Sequence, residues 1–317
     1  MPAYSYSMPE AAAHPSVKAH PPRPNMAWTD YGLYAAVVIA WSFSWWPLKV
    51  QAESGVPETA SLVWRFIGAG ALMLIWTLIS GKSMRFGLHQ HLRFAALGIF
   101  LFSTNFLLFY LAADQVPSGL LSVVFSLASI FNSVLMFAIY RERPSPMLLV
   151  AGVLGFSGLA LLFWPQIAGQ NYSLAVLGAL GLCVGGTLCF CTGNLISADT
   201  RKRGVELLPM TSWGMFYGAC WASFLTIATG QSFGFEMTSS YVGSLLFLII
   251  VSSFIAFAAY LTLLNRIGPA RAGYATVLFP VLALIVSSFV EDYRFTPVGM
   301  AGLGLVLAGN WLVLRRK

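Results

Sequence analysis

Charge is scarce in this sequence. Its 317 residues hold 18 Lys and Arg and 11 Asp and Glu, 9% of the chain, while 58% are hydrophobic. Soluble domains carry about 25% charged residues. So few charges cannot cover a water-facing surface, so most of this surface faces lipid. Cysteine is also scarce. Cys183, Cys189, Cys191 and Cys220 all fall inside apolar runs, which excludes a disulfide framework. Cys189-x-Cys191 has no His or Cys partner at metal-ligand spacing, and these cysteines read as small packing residues. There is no Walker loop and no nucleophile–base constellation. No cofactor or metal is implied, and the chain does not read as an enzyme. The net charge of +7 does not point to nucleic acid, because the basic residues never form a continuous stripe.

The apolar residues come in ten runs: 30–50, 59–80, 92–113, 117–140, 144–164, 173–197, 207–230, 241–265, 269–290 and 296–314. Each is about the length that crosses a bilayer as a helix, roughly 20 residues. Residues 1–29, rich in Pro, His and Ala up to about Met26, lack the apolar core of a signal peptide and predict a disordered cytoplasmic tail. Residues 315–317 form a basic C-terminus. With ten spans both termini share one side, and fifteen of the eighteen Lys and Arg fall there. Lys49 and Arg294 lie opposite, and Arg65 lies within a span. The positive-inside rule makes the basic side cytoplasmic, in a multi-pass protein of the inner (plasma) membrane.

The chain repeats itself. Pro146 and Pro297 are 151 residues apart, as are Gly158 and Gly309; Pro117 and Pro269 are 152 apart; Phe66-Ile-Gly-Ala and Phe216-Tyr-Gly-Ala are 150 apart. Such an offset covers five spans. An odd number reverses the second copy, so residues 30–164 and 173–314 read as two inverted five-helix repeats. Inverted repeats around a central cavity supply two states, one open to each side. The competing reading is a duplicated scaffold with no such motion, as in a channel or a lipid-handling protein. Gly152-x-x-Gly155-x-x-Gly158, Gly299-x-x-Gly302-x-Gly304 and Gly68-Ala-Gly70 predict close helix packing.

Trp41-Ser-Phe-Ser-Trp-Trp-Pro-Leu-Lys49 resembles the first-span signature of the EamA-type members of the drug/metabolite transporter superfamily. Arg65, Asn105 to Tyr110 with Pro117-Ser-Gly, and Glu142 are similar to that family's second to fifth spans. Ser253, Tyr260, Asn265-Arg-Ile-Gly-Pro-Ala, Phe279-Pro280-Val and Glu291 repeat the theme. The resemblance covers residues 30–314. It implies an all-α membrane protein of ten helices around a cavity, exporting amino acids or related metabolites. The aromatic-rich first span resembles the family's aromatic amino-acid exporters. The sequence departs at Ser42, where Gly is commoner, and at Met215, the offset copy of Arg65.

Trp41, Trp45 and Lys49 share one helix face. They read as a carboxylate contact behind two indoles, or as a snorkelling lysine among interfacial tryptophans. Arg65 reads as an anion contact or gate, or as a structural pair with Glu53, Glu58 or a carbonyl. Ser122, Ser126, Ser129 and Ser133 form one helical stripe beside Asn132, which lines a polar path or seals a packing seam. Thr187, Cys191 and Asn194 make a shorter stripe. Asn105 needs a hydrogen-bond partner in the interior. Tyr110, Trp213, Tyr217, Tyr260 and Tyr274 are candidate cavity walls, and Pro280 a candidate bend.

All acidic residues and all four histidines fall in tails, loops or span ends, so no mid-membrane carboxylate is available for proton coupling. The expectation is a facilitative carrier or exchanger of a small-molecule substrate, with the bilayer as environment and no obligatory protein partner. Other readings are the same scaffold exporting organic cations or nucleotide sugars, a membrane enzyme or lipid-handling protein, and a channel. Arg65 and Lys49 near the path disfavour cations, and a nucleotide sugar wants more basic residues at depth.

Overall fold

A computed structural model describes residues 27–140, 146–168, 174–267 and 275–314, and these are helices joined by short turns. In chain order they are α1 (Trp28–Phe43), α2 (Trp45–Ala52), α3 (Glu58–Ile79), α4 (Leu88–Ile99), α5 (Asn105–Ala113), α6 (Ser118–Ser126), α7 (Ala128–Tyr140), α8 (Pro146–Ala168), α9 (Leu174–Lys202), α10 (Leu207–Ala228), α11 (Ser239–Leu246), α12 (Ala256–Ile267), α13 (Ala275–Val290) and α14 (Pro297–Leu314). Two π-helical segments, Phe100–Thr104 and Phe247–Ile255, join α4 to α5 and α11 to α12.

Among the described residues, six helices are by length and composition able to cross a membrane: Trp28–Ala52, Glu58–Ile79, Leu88–Ala113, Ser118–Leu135, Leu174–Lys202 and Ser239–Tyr260. Leu149–Trp164, Leu278–Val290 and Pro297–Leu312 are apolar but shorter. The run 207–230 forms α10, a 22-residue helix without a single charged residue. Its Ser, Thr, Gly and Trp lower its hydropathy below that of the six. Each of the ten apolar runs thus contains helix, but not every one of these helices, over its described residues, is both long and apolar enough to cross a bilayer.

Local chemistry explains the interruptions. Pro47 has no N–H to donate to the Phe43 carbonyl, and the first span breaks into α1 and α2 at Ser44. The Ser44 hydroxyl donates to the Trp41 carbonyl at 2.8 Å. In the fourth span, Ser122 and Ser126 donate to the carbonyls three residues earlier, Gly119 and Val123. Such back-bonding competes with the helix ladder, and the span breaks at Leu127 between α6 and α7. α3 and α10 end alike: Gly81 (φ 67°) follows Ser80, and Gly230 (φ 66°) follows Thr229. The Lys82 N–H reaches back to the Thr77 carbonyl and the Gln231 N–H to the Thr226 carbonyl, which is the Schellman closure.

Helix pairs meet where glycines remove side chains. A Cβ on Gly158 would sit 2.5 Å from the Gly302 carbonyl oxygen, and one on Gly98 would sit 2.6 Å from the Gly218 nitrogen. α8 therefore lies directly on α14, and α4 on α10. Gly152 and Gly304 have open space instead. The main core runs through Leu62, Phe66, Phe102, Phe109, Leu120 and Phe279.

The turns fall at two ends. Residues 53–57, 114–117, 231–238 and 291–296 make one, here the A end; 80–87 and 203–206 make the other, the B end. Arg266 pairs with buried Asp30 at 3.2 Å, Lys82 with Glu206 at 2.8 Å, and Asp199 with Arg93 and Arg203, all towards the B end. Lys49 pairs with Glu291 and Glu53 at the A end.

Candidate functional site

A cavity of about 400 Å³ lies between these helices. Nine of its nineteen described lining residues are aromatic: Trp41, Trp45, Phe106, Phe109, Phe125, Phe190, Phe257, Tyr260 and Phe279. Ser44, Asn105, Ser129, Asn132, Ser133, Asn194 and Ser252 supply neutral polar groups, and Leu101 and Ala128 complete the wall. Arg65 is the one charged residue among those described in the lining.

Both π-helical segments feed this wall. A π turn inserts a residue into the i→i+4 ladder and rotates the residues beyond it, and such turns recur at functional sites. The first ends just before Asn105, and the second carries Ser252 and Ser253. Trp41 is held by its indole N–H donating to the Ser252 carbonyl at 3.4 Å, and by Tyr260 and Phe257, whose ring centroids lie 5.2 and 5.9 Å away. Trp45 stacks on Phe279 and packs edge-on to Phe109. Four residues apart, the two indoles lie on one side of the first span and line the same chamber.

Arg65 is only 2% exposed. Its Nε donates to the Ser253 hydroxyl at 3.1 Å, and its guanidinium carbon lies 4.3 Å above the Phe106 ring. Its NH1 is buried without a hydrogen-bond partner. No carboxylate among the described residues lies within ion-pair distance of it, Glu53 and Glu58 included. An arginine at a helix centre costs about 3 kcal/mol on membrane-insertion scales; the Ser253 hydroxyl and the rings of Phe106 and Phe66, 4.3 and 5.4 Å from the guanidinium carbon, offset part of such a cost without supplying a counter-charge. Asn105, 1% exposed, and Asn132 each leave Oδ1 unpartnered as well.

Of the residues singled out from sequence, Trp41, Trp45, Arg65, Asn105, Ser129, Asn194 and Tyr260 meet at the cavity. Ser42, Lys49, Tyr110, Ser126 and Tyr217 lie outside its wall. The Ser42 hydroxyl donates to the Val38 and Phe279 carbonyls, tying α1 to α13 one residue before Pro280. Pro280 is buried inside α13. Lys49 Nζ lies 3.1 Å from Glu291 Oε1 and 3.7 Å from Glu53. Tyr110 donates to Gln51 Oε1 at 2.6 Å. Tyr217 sits by His91, its hydroxyl 3.1 Å from Nδ1, towards the B end. Tyr274, Asn265 as a side chain, and Glu142 lie outside the described residues.

The serine stripe divides where its helix does. Ser129 and Ser133 line the cavity, while Ser122 and Ser126 are buried behind it. Asn310 of α14 bridges the break, accepting from the Ser129 hydroxyl and donating to Ser126 Oγ at 3.1 Å. Sequence reasoning did not single out the wall residues Phe106, Phe109, Phe125, Phe190 and Phe257. Phenylalanine is common throughout this chain, and helical periodicity does not separate a cavity face from a lipid face.

Apolar helices around an amphipathic chamber, with one cation among its described lining residues, fit a multi-pass membrane transporter. The profile of the EamA-like transporter family matches residues 30–164 and again 173–315; the chain belongs to that family. It is 26% identical over 290 residues to an uncharacterized transporter of Archaeoglobus fulgidus, covering 89% of this chain and 98% of that protein. It is 25% identical over 296 residues to the uncharacterized inner membrane transporter YedA of Escherichia coli (strain K12), covering 90% and 91%. Protein PecM of Dickeya dadantii is 23% identical over 278 residues, covering 87% of each. A solved structure with 14% sequence identity has the same fold, with a TM-score of 0.64, covering 90% of this chain and 96% of that one.

Proposed function

We propose that this chain is a secondary transporter for amino acids, aromatic ones included, and related carboxylate-bearing metabolites, working by alternating access. The observation that carries the reading is Arg65, a buried cation without a carboxylate partner among the described residues, set in an aromatic chamber. A substrate carboxylate supplies the missing charge, and the rings pack its apolar body. An organic cation would be repelled there.

The motion we propose is that of two inverted five-helix halves, ten spans in all. Four paired features support it: the two π-helical segments, the matching ends of α3 and α10, the close contact of Gly98 with Gly218 and its offset counterpart of Gly68 with Ile249, and the double match to the family profile. Arg65, Asn105 and Phe109, nearer the A end, are buried; Asn132, Ser133, Asn194 and Tyr260, farther from it, are half-buried. We take this as a conformation open towards the B end, which the basic residues make the cytoplasmic side.

Counterflow in proteoliposomes with a panel of amino acids tests the proposal. Wild type should exchange label with at least one of them, and Trp41→Ala and Arg65→Ala should reduce the exchange at least tenfold. Flux without saturation or counterflow would identify a channel and overturn the reading.

A further inference from the structure

Two unsatisfied groups of opposite hydrogen-bonding sense occupy the same level of the cavity. Arg65 lies seven residues in from the start of α3 at Glu58, and Asn105 lies eight residues before the end of α5 at Ala113. Both helix ends belong to the A end, so at 1.5 Å per residue each side chain starts about 10–12 Å deep. The guanidinium carbon of Arg65 lies over Phe106, the residue next to Asn105, so the two share a neighbourhood across α3 and α5. Arg65 NH1 is a donor without an acceptor, and Asn105 Oδ1 is an acceptor without a donor. Both residues line the cavity. Buried polar atoms left unpaired cost about 1–3 kcal/mol each, and here they flank the space a ligand enters.

Resting on the proposed amino-acid reading, we infer that Arg65 and Asn105 together recognise the α-amino-carboxylate head of the substrate, with Asn105 the determinant for the amino group. The carboxylate accepts from the Arg65 guanidinium. The ammonium donates to the Asn105 carbonyl, beside Phe106 and Phe109 in the same wall of the cavity. An amide suits this task beside an arginine. A carboxylate at 105 would pair with Arg65 and cancel the anion site, whereas a neutral acceptor leaves the guanidinium free for the substrate. Asn105 can turn its amide about the last side-chain torsion at little cost, so either amide atom can face the ligand. The pair selects zwitterions. A plain carboxylate leaves Asn105 unpaired, and an amine without a carboxylate meets the Arg65 charge.

L-Phenylalanine and 3-phenylpropanoate differ in the amino group alone, and their binding to the full chain in nanodiscs tests the inference. Wild type should favour phenylalanine about tenfold or more, because a site built to bond an N–H rejects the analogue lacking it. Asn105→Leu should abolish that preference while 3-phenylpropanoate still binds, and Asn105→Ser, which keeps a small acceptor, should retain part of it. Arg65→Ala should weaken both compounds. Equal weakening of both compounds by Asn105→Leu and Asn105→Ser would make Asn105 merely structural and overturn the inference. Tight 3-phenylpropanoate binding without a phenylalanine preference in wild type would overturn it too, leaving the carboxylate reading intact. Binding of neither compound would sink both.

Discussion

Lys49 Nζ lies 3.1 Å from Glu291 Oε1, and this ion pair joins α2 to the end of α13 across the A end of the cavity. Glu291, whose side chain is 9% exposed, also accepts from the Ser118 N–H at 3.1 Å, from the Ser118 hydroxyl and from the Ser287 hydroxyl at 2.6 Å. The carboxylate therefore sits on the N-terminus of α6, where the unpaired N–H groups and the helix dipole favour an anion. Three helices meet at one side chain.

Breaking this latch should loosen the A end. Glu291→Gln keeps the shape but removes the charge from Lys49 and α6, at a cost of about 1–3 kcal/mol. We expect a melting temperature lowered by several degrees. We also expect faster labelling of a cysteine introduced at Gln51, in a background with Cys189 and Cys220 replaced by Ser, by a thiol reagent applied from the A side. Unchanged labelling would show that the ion pair does not hold this end shut.

Arg65 should separate stability from transport. Its charge is buried without an anion among the described residues, so Arg65→Met removes a desolvation cost and leaves the fold as stable as wild type or more so. Counterflow should fall at least tenfold in the same variant. An Arg65→Met protein that exchanges substrate normally would mean that the guanidinium serves packing alone.

The glycine contacts yield a paired comparison within single motifs. Gly158→Leu and Gly302→Leu force a side chain into space where a Cβ already lies 2.5 Å from a carbonyl oxygen. We expect a loss of about 1–3 kcal/mol or more, seen as aggregation or a lowered melting temperature in detergent. Gly152→Leu and Gly304→Leu, with nothing within 4 Å of the added Cβ, should change melting by little. If all four behave alike, α8 and α14 do not pack through these glycines.

Among the described lining residues no Asp, Glu, His or Lys is present. Substrate-driven uptake should therefore proceed in liposomes with equal pH on both sides, and an imposed pH gradient should change its rate less than twofold, about the scale of 0.4 kcal/mol. Uptake that vanishes without the gradient would require a proton site elsewhere in the chain.

Arg65 illustrates how much of the site was legible in the sequence. A lone charge inside an apolar run is visible without a structure, because its insertion cost implies a protein or wet surrounding. Its missing partner is not visible: Glu53 and Glu58 were as near in sequence as any acid, and only the packed bundle shows that neither reaches it. Lys49 is the mirror case. It shares a face with Trp41 and Trp45 on an unbroken helix, yet the break at Ser44 and the carboxylate of Glu291, 242 residues further along the chain, draw it into the latch. The serine stripe failed as a single surface for a similar reason, since its period assumed a continuous helix through Leu127.

What the sequence determined by itself is the solvent and the helical content of the chain. With 9% charged residues and apolar runs about 20 residues long, the backbone must satisfy its own hydrogen bonds in lipid, and helices do that locally. Which helix faces meet around the chamber was decided by tertiary structure. Close contact at Gly98 and Gly158, the breaks at Ser44 and Leu127 and the two π turns each rotate or shift a face by a fraction of a turn. Such small rotations, summed over neighbouring helices, decide whether a given Phe or Ser meets the cavity, another helix or lipid.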